Sequence, residues 1–199
     1  NNLYKAFQTV KKVSGWKEGT QRYGEDLLLN LTDLKGRLEN WKYKPKEPDR
    51  FTLHERGKVR LIESYSIEDR IVQRCFTEYV LMPFIRPKLI YDNDASLEHR
   101  GTDHFRNRLE YKLRRYSKEH GNDGYILLCD FSKFFDTIWH STLLKCLREF
   151  GVDGDVLRFT AIILKSHEID VSYMTDEQYS QCMFVPFNSL KYYRHINDS

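Results

Sequence analysis

The stretch from Gly124 to His140, GYILLCDFSKFFDTIWH, constrains the fold more than any other part of the chain. It opens with an apolar run, Tyr125-Ile126-Leu127-Leu128-Cys129, behind the turn former Asn122-Asp123-Gly124. A run this short, bounded by a turn signal, fits a buried strand better than a helix. The run ends on Asp130. A carboxylate at the tip of a buried strand must be hydrogen-bonded, paired or metal-bound, because an isolated buried charge is very costly. Asp136 follows, with the bulky pair Phe134-Phe135 between the two carboxylates. On these residues alone two readings are open. Asp130 is a turn former or the cap of the next helix, or it is one hard oxygen ligand beside an aromatic wall, half of a magnesium site.

Upstream, Leu3, Tyr4, Phe7, Val10 and Val13 recur at spacings of three and four, which predicts a short helix broken at Ser14-Gly15 and Glu18-Gly19. Glu25 to Trp41 predicts a longer one, with Leu27, Leu28, Leu31, Leu34, Leu38 and Trp41 as its apolar stripe. Pro45 forces an extended exit. Phe51 and Leu53 then alternate with polar residues, as do Val59 and Leu61 across Gly57, where a hairpin needs a permissive backbone. The hairpin carries Arg56, Lys58 and Arg60 near its tip. Three cations on a stiff ribbon either clamp a triphosphate or backbone phosphate, or sit on a solvated edge strand where Lys blocks mispairing.

Ser66 to Leu81 predicts a helix, with Ser66 and Asp69 as a capping pair. Tyr91 to Thr102 is polar and aperiodic, a loop. Asp103 to Tyr116 resumes helical spacing through Phe105, Leu109, Leu113 and Tyr116. Its other faces carry Arg106, Arg108, Lys112, Arg114 and Arg115. This is either a solvated amphipathic helix or a face for a nucleic-acid backbone. His140 to Phe150 and Asp155 to Ser166 predict two further helices around the turn Gly151-Val152-Asp153-Gly154, and His167 to Tyr173 a strand. Met174 to Ser199 has no strong period and is assigned no structure.

The string D-F-S-K-F-F-D-T-I-W-H resembles the first palm motif of reverse transcriptases, most closely the group II intron, retron and phage-borne bacterial lineages. Their pattern is D-hydrophobic-x-x-F-F-D-x-I-x-H-x-x-L, whose last part is matched by Asp136, Ile138, His140 and Leu143. Y-x-P, then G-K-V-R-L-I, then D-R-I-V-Q-R resembles the fingers signature of the same polymerases. The resemblance implies an α+β fold: a helical fingers lobe with a β-hairpin over residues 1–122, then an incomplete right-hand palm over residues 123–199.

The resemblance also implies roles. Asp130 is the catalytic metal ligand, with the Phe131 backbone carbonyl completing its side of a site for two Mg2+ ions. Phe135 is the steric gate against a ribose 2′-hydroxyl, with Phe134 as the alternative. Asp136 and His140 are structural, Asp136 capping the helix that starts near Ser141. Arg60 reaches over the incoming nucleotide. A Lys usual in group II enzymes falls on His54, so Lys58 or Arg56 serves the second phosphate contact. Glu63-Ser64 stands where the family usually reads I-P. The loop fits the family segment G-F-R-P-G-R-S loosely, with Arg100 aligning near the template strand; Arg56 on the hairpin and Arg106, Lys112 and Arg115 on the basic helix are further expected nucleic-acid contacts. The D-R-x-V-Q block anchors the hairpin to the palm.

The implied partners are an RNA template, a DNA primer and deoxynucleoside triphosphates. The net charge is only +3, so the distribution of cations has to carry a nucleic-acid reading. Cys75, Cys129, Cys146 and Cys182 are too dispersed for a disulfide framework or zinc ligands, and Cys75 and Cys129 sit in apolar patterns typical of buried thiols. No apolar run approaches membrane-spanning length and no signal peptide is present, which implies a reducing cytoplasmic setting. The sequence contains neither the Tyr-x-Asp-Asp turn nor the Gln-Gly motif of the relatives. The chain is therefore expected to be a fragment, inactive alone, of a longer enzyme. Two alternatives stand beside it: a non-catalytic nucleic-acid-binding module of phage-defence or maturase-like kind, and self-association through an exposed palm edge.

Overall fold

A computed structural model describes residues 1–55, 57–130 and 138–166, with the Lys58 side chain also outside the description. Three N-terminal helices come first: α1 (Asn2–Ser14), α2 (Glu18–Glu25) and α3 (Leu27–Glu39). The break expected at Ser14-Gly15 is there, whereas Glu18-Gly19 opens α2 instead of interrupting a helix. Ser14 Oγ donates to the Val10 carbonyl at 2.9 Å and lies 3.4 Å from the buried Thr20 hydroxyl, which ties α2 back to α1.

On α3 the inward stripe is Leu27, Leu31, Leu34 and Leu38, spaced by four, three and four residues. Leu28 was expected in it and is 78% exposed. One residue is 100° of helical rotation, enough to carry Leu28 off the apolar face beside Leu27. The helix ends at Glu39, two residues short of the expected Trp41, which adopts a left-handed φ of 55°.

The hairpin strands β1 (Asp49–Glu55) and β2 (Lys58–Ser64) pair antiparallel. Helix α4 (Ile67–Phe76) follows, capped by Ser66, whose Oγ accepts from the Asp69 N–H at 3.1 Å. The capping pair expected at Ser66 and Asp69 is thus present. The core gathers Ala6 and Phe7 from α1, Leu31 and Leu34 from α3, Ile71 and Val72 from α4, and Tyr43 from the linker before the hairpin.

The expected single helix to Leu81 changes pitch at Thr77–Leu81, where it becomes a π-helix before the short α5 (Met82–Ile85). Met82 N–H donates to Thr77 O, five residues back. Pro83 lies one residue further on; it has no N–H to continue an α ladder, and its ring crowds the carbonyl four residues before it. Cys75 is half-buried, and burial pushes its thiol pKa up.

After a 3₁₀ turn at Arg86–Lys88 and the expected loop comes α6 (Thr102–His120). Then α7 (His140–Glu149) and α8 (Gly154–Lys165) turn about Val152, with Asp153 capping α8 through the Val156 N–H at 3.1 Å. The N-cap of α7 is Trp139; Asp136, expected to cap this helix, lies outside the described residues. Phe159 of α8 packs on the N-terminal core, its ring centroid 4.8 Å from that of Phe76 and 6.0 Å from that of Tyr43. The described architecture is a set of helices with one small two-stranded antiparallel sheet.

The predicted buried strand at Tyr125–Cys129 is not formed. Residues 123–130 carry no regular structure, and the side chains of Tyr125, Ile126, Leu127 and Leu128 are all exposed. Cys129, expected buried, is exposed with them. A strand is completed by a neighbour that supplies its hydrogen-bond partners and covers a face. Among the described residues the strands are β1 and β2, and they pair with each other. The strand expected at His167–Tyr173 and the unassigned Met174–Ser199 lie outside the described residues. Among the described residues no helix is long and apolar enough to cross a membrane.

Candidate functional site

The hairpin register pairs Glu55 with Lys58, Leu53 with Arg60 and Phe51 with Ile62. Directly opposed residues share a face. Phe51, Leu53 and Arg60 therefore lie on one side of the ribbon, and Val59 and Leu61 on the other. The apolar residues read in sequence are split between the two faces, and every residue of β1 is exposed. Gly57 makes the turn with φ +75°, in the region that disfavours a side chain. Arg60 is more than half exposed near the tip, 3.5 Å from Glu55 Oε2. That single exposed pair is weak enough for an anionic ligand to displace. Arg56 lies outside the described residues.

The ribbon is held at its roots. Arg50 Nε donates to Glu63 Oε1 at 3.0 Å, and Tyr65 Oη to Glu63 Oε2 at 2.7 Å. Deeper, Asp69 is fully buried, and both its carboxylate oxygens accept. Tyr43 Oη donates to Oδ1 at 2.6 Å; Ser66 Oγ at 2.6 Å and the Lys46 N–H at 3.3 Å donate to Oδ2. Burial, with the hydrogen bond to Asp69 next, pushes the Tyr43 phenol pKa far up. Beside it Arg37 of α3 holds Glu68 of α4 through two parallel bonds of 2.9 and 2.8 Å. The Glu68 hydrogen bond raises the Arg37 pKa. The sequence showed Asp69 as a cap; its bonds to Tyr43 and Lys46 cross the whole hairpin in sequence and have no local signature.

Asp130 is exposed at the end of the irregular segment. The segment is set up by the end of α6: Tyr116 Oη donates to the Asp123 carbonyl at 3.2 Å, and Ser117 Oγ to Asn122 Oδ1 at 2.6 Å. A Cβ at Gly124 would stand 2.9 Å from the Tyr116 ring, so the glycine permits this close approach. Phe131, Phe134, Phe135 and Asp136 lie outside the described residues. No group of three His, Cys, Asp or Glu residues placed to hold a metal gathers among the described residues. One exposed carboxylate is not a two-ion site. The residues described do not by themselves fit the magnesium pair.

The cations expected to meet nucleic acid are placed on α6 and the loop before it. Helix α6 alone carries six Lys and Arg against three acids, a surplus equal to the net charge of the whole chain. It buries no residue; Phe105, Leu109, Leu113 and Tyr116 are all partly open. Most of its cations already face carboxylates. Arg106 lies 3.9 Å from Asp103, Arg115 2.9 Å from Glu119, and Arg114 pairs with Glu110. Arg108 Nε donates to Asp92 at 2.7 Å, and Lys112 grips the other Asp92 oxygen. Those two bonds, Lys112 first, hold the Asp92 carboxyl at a pKa of about 2. Arg100 is spent locally: its Nη1 donates to the carbonyls of Tyr91 and of Asn93, the latter at 3.0 Å, and its guanidinium lies 5.0 Å from the Tyr91 ring centre. Arg108 stacks on the same ring at 4.8 Å. Arg100 and α6 thus share one fastening, the loop at Tyr91–Asn93. Its signal in sequence was only an aromatic among acids in a loop.

The family model described as "Reverse transcriptase (RNA-dependent DNA polymerase)" matches residues 44–187. That span takes in the hairpin, α4, the loop, α6 and the Asp130 stretch. No curated protein matches the chain.

Proposed function

The chain belongs to the reverse transcriptase (RNA-dependent DNA polymerase) family, and on that premise we propose that it supplies the fingers and first palm segment of an enzyme that copies RNA into DNA. The lineage we favour is the group II intron, retron or phage-borne bacterial type, acting in the cytoplasm. In the reaction the 3′-hydroxyl of a DNA primer paired to an RNA template attacks the α-phosphate of a deoxynucleoside triphosphate, and pyrophosphate leaves. Arg60, with Lys58 or Arg56, meets the triphosphate, since guanidinium and ammonium groups suit phosphate oxygens. Phe135, or Phe134 in its place, excludes the ribose 2′-hydroxyl. Arg106, Lys112 and Arg115 run along the template backbone by exchanging their carboxylate partners for phosphates, and Arg100 shapes the loop beside it.

Two magnesium ions would supply charge stabilisation at the attacking and leaving oxygens. Asp130 is assigned as one ligand, beside the Phe131 carbonyl. The remaining carboxylates belong to a Tyr-x-Asp-Asp turn that this sequence does not contain. The chain on its own is accordingly expected to be inactive.

The observation that carries this reading is the family match across residues 44–187. A second reading is a nucleic-acid-binding module without catalysis, and the sequence of the parent gene decides between them: a Tyr-x-Asp-Asp turn there favours the enzyme. The direct experiment is primer extension on an RNA template by the complete protein while dNTP concentration is varied. Arg60→Ala should raise the dNTP KM more than it lowers kcat, and Phe135→Ala should raise ribonucleotide incorporation. Unchanged dNTP dependence in Arg60→Ala would remove the hairpin from the nucleotide site. An unchanged ribonucleotide rate in Phe135→Ala would move the gate to Phe134.

A further inference from the structure

Among the described residues of the hairpin none is buried, and only Ile62, Glu63 and Ser64 at the foot of β2 are partly covered. Every residue of β1 is exposed, and β1 and β2 pair only with each other among the described residues. A ribbon of this kind cannot be aimed by packing along its length; its direction is fixed where it leaves the body. Both points of departure converge on one side chain. Lys46, just before β1, and Ser66, just after β2, bond to the same Asp69 oxygen, and Tyr43, earlier on the incoming linker, bonds to the other. Asp69 is fully buried on α4, and α4 lies against α1 in the core. The neighbouring Arg37–Glu68 bidentate pair fixes the same end of α4 to α3.

We propose that Asp69 is the positioning residue that sets the attitude of the basic hairpin. It closes the two roots of the ribbon onto one rigid helix end and so fixes where Arg60 is held. Removing a donor from a buried acceptor leaves that acceptor short of a hydrogen-bond partner, which costs more than the bond itself contributed. With one of the three donors removed, the corresponding root is held by fewer bonds and loosens, while the Ala6, Phe7, Leu34 and Ile71 packing is kept. The consequence for the incoming nucleotide rests on the function proposed above; the clamp itself does not.

The test places spin labels at Val59 on the hairpin and Lys35 on α3, through V59C and K35C, in the full chain with its four cysteines replaced. Both positions are well exposed. The chain should give one narrow distance distribution. Tyr43→Phe, which keeps the ring and removes one donor, should broaden or shift it while helicity and the melting transition show a folded chain. Asp69→Asn should do so more strongly, and Ser66→Ala is the milder control should Asp69→Asn fail to fold. An unchanged, narrow distribution in folded Tyr43→Phe and Ser66→Ala would overturn the clamp. In parallel, dATP with Mg2+ is titrated into each protein. Several-fold weaker binding by Tyr43→Phe than by the unaltered chain ties the attitude to nucleotide capture. An unaltered chain that does not bind dATP counts against the nucleotide role of the hairpin, and the distance distributions still decide the clamp.

Discussion

Two apolar stretches of this chain met opposite fates. The stripe of α3, read with α1 and α4, closes over Phe7, Leu34, Ile71 and Val72 and leaves them almost without solvent contact. The run Tyr125–Leu128 is at least as apolar, and it stands open. The difference is one of supply. A helix satisfies its own backbone and needs only a face to lie against, and here α1, α3 and α4 supply that face to one another. A strand needs neighbours on its edges as well as a cover. Apolar content says that a segment is built for burial; it does not say which part of the molecule will bury it.

This contrast can be broken by mutation. The largest effect should come from Phe7→Ala, which removes a fully buried ring from a closed core: a loss of about 3–5 kcal/mol of stability, read by denaturant unfolding. Tyr43→Phe comes next, at about 1–3 kcal/mol, because a buried carboxylate loses one of its donors. Leu128→Ala should change stability by no more than about 0.5 kcal/mol, as for other exposed positions. A cost in Leu128→Ala comparable to that of Phe7→Ala would show that the run is buried after all.

Helix α6 allows a finer comparison with the same core, because its fastenings are charged, not apolar. Lys112→Ala should reduce the slope of log affinity for single-stranded RNA against log salt by about 0.7, without changing sequence preference. The smallest expected effect is on pH. The Asp92 carboxyl has its pKa lowered from 3.8 to about 2 by Lys112 and Arg108. A depressed carboxylate contributes stability that is complete above the ordinary value and lost as pH falls through the folded one. Exchange of the Tyr91–Asn93 amides should therefore quicken between about pH 4 and pH 2 relative to the core, with the exposed setting of the pair keeping the effect slight.

The sequence was most legible where signals are local. The capping pair Ser66 and Asp69, the Gly57 turn, the break at Gly15 and the helix pair around Val152 all depend on residues a few positions apart. It was least legible where contacts span distance or depend on small rotations. Leu28 left its stripe because one residue is a quarter-turn and more. Phe51 and Val59 parted because a two-residue turn fixes which positions face each other. Tyr43 and Lys46 reach Asp69 across the whole hairpin. On α6, counting cations gave the surplus but not the carboxylates that already meet them. Arg60 stands exposed on the ribbon and Asp130 is exposed because its expected strand is not formed, while Arg100 fastens its own loop.

On the function proposed above, Asp130 holds a metal ion during DNA synthesis. Single-turnover primer extension by the complete protein with Asp130→Asn tests it most directly. Extension should fall by more than about a hundredfold, beyond what supporting residues around a metal usually cost, while primer–template binding and the melting transition stay unchanged. Extension within a few-fold of the unaltered enzyme would remove Asp130 from the metal site.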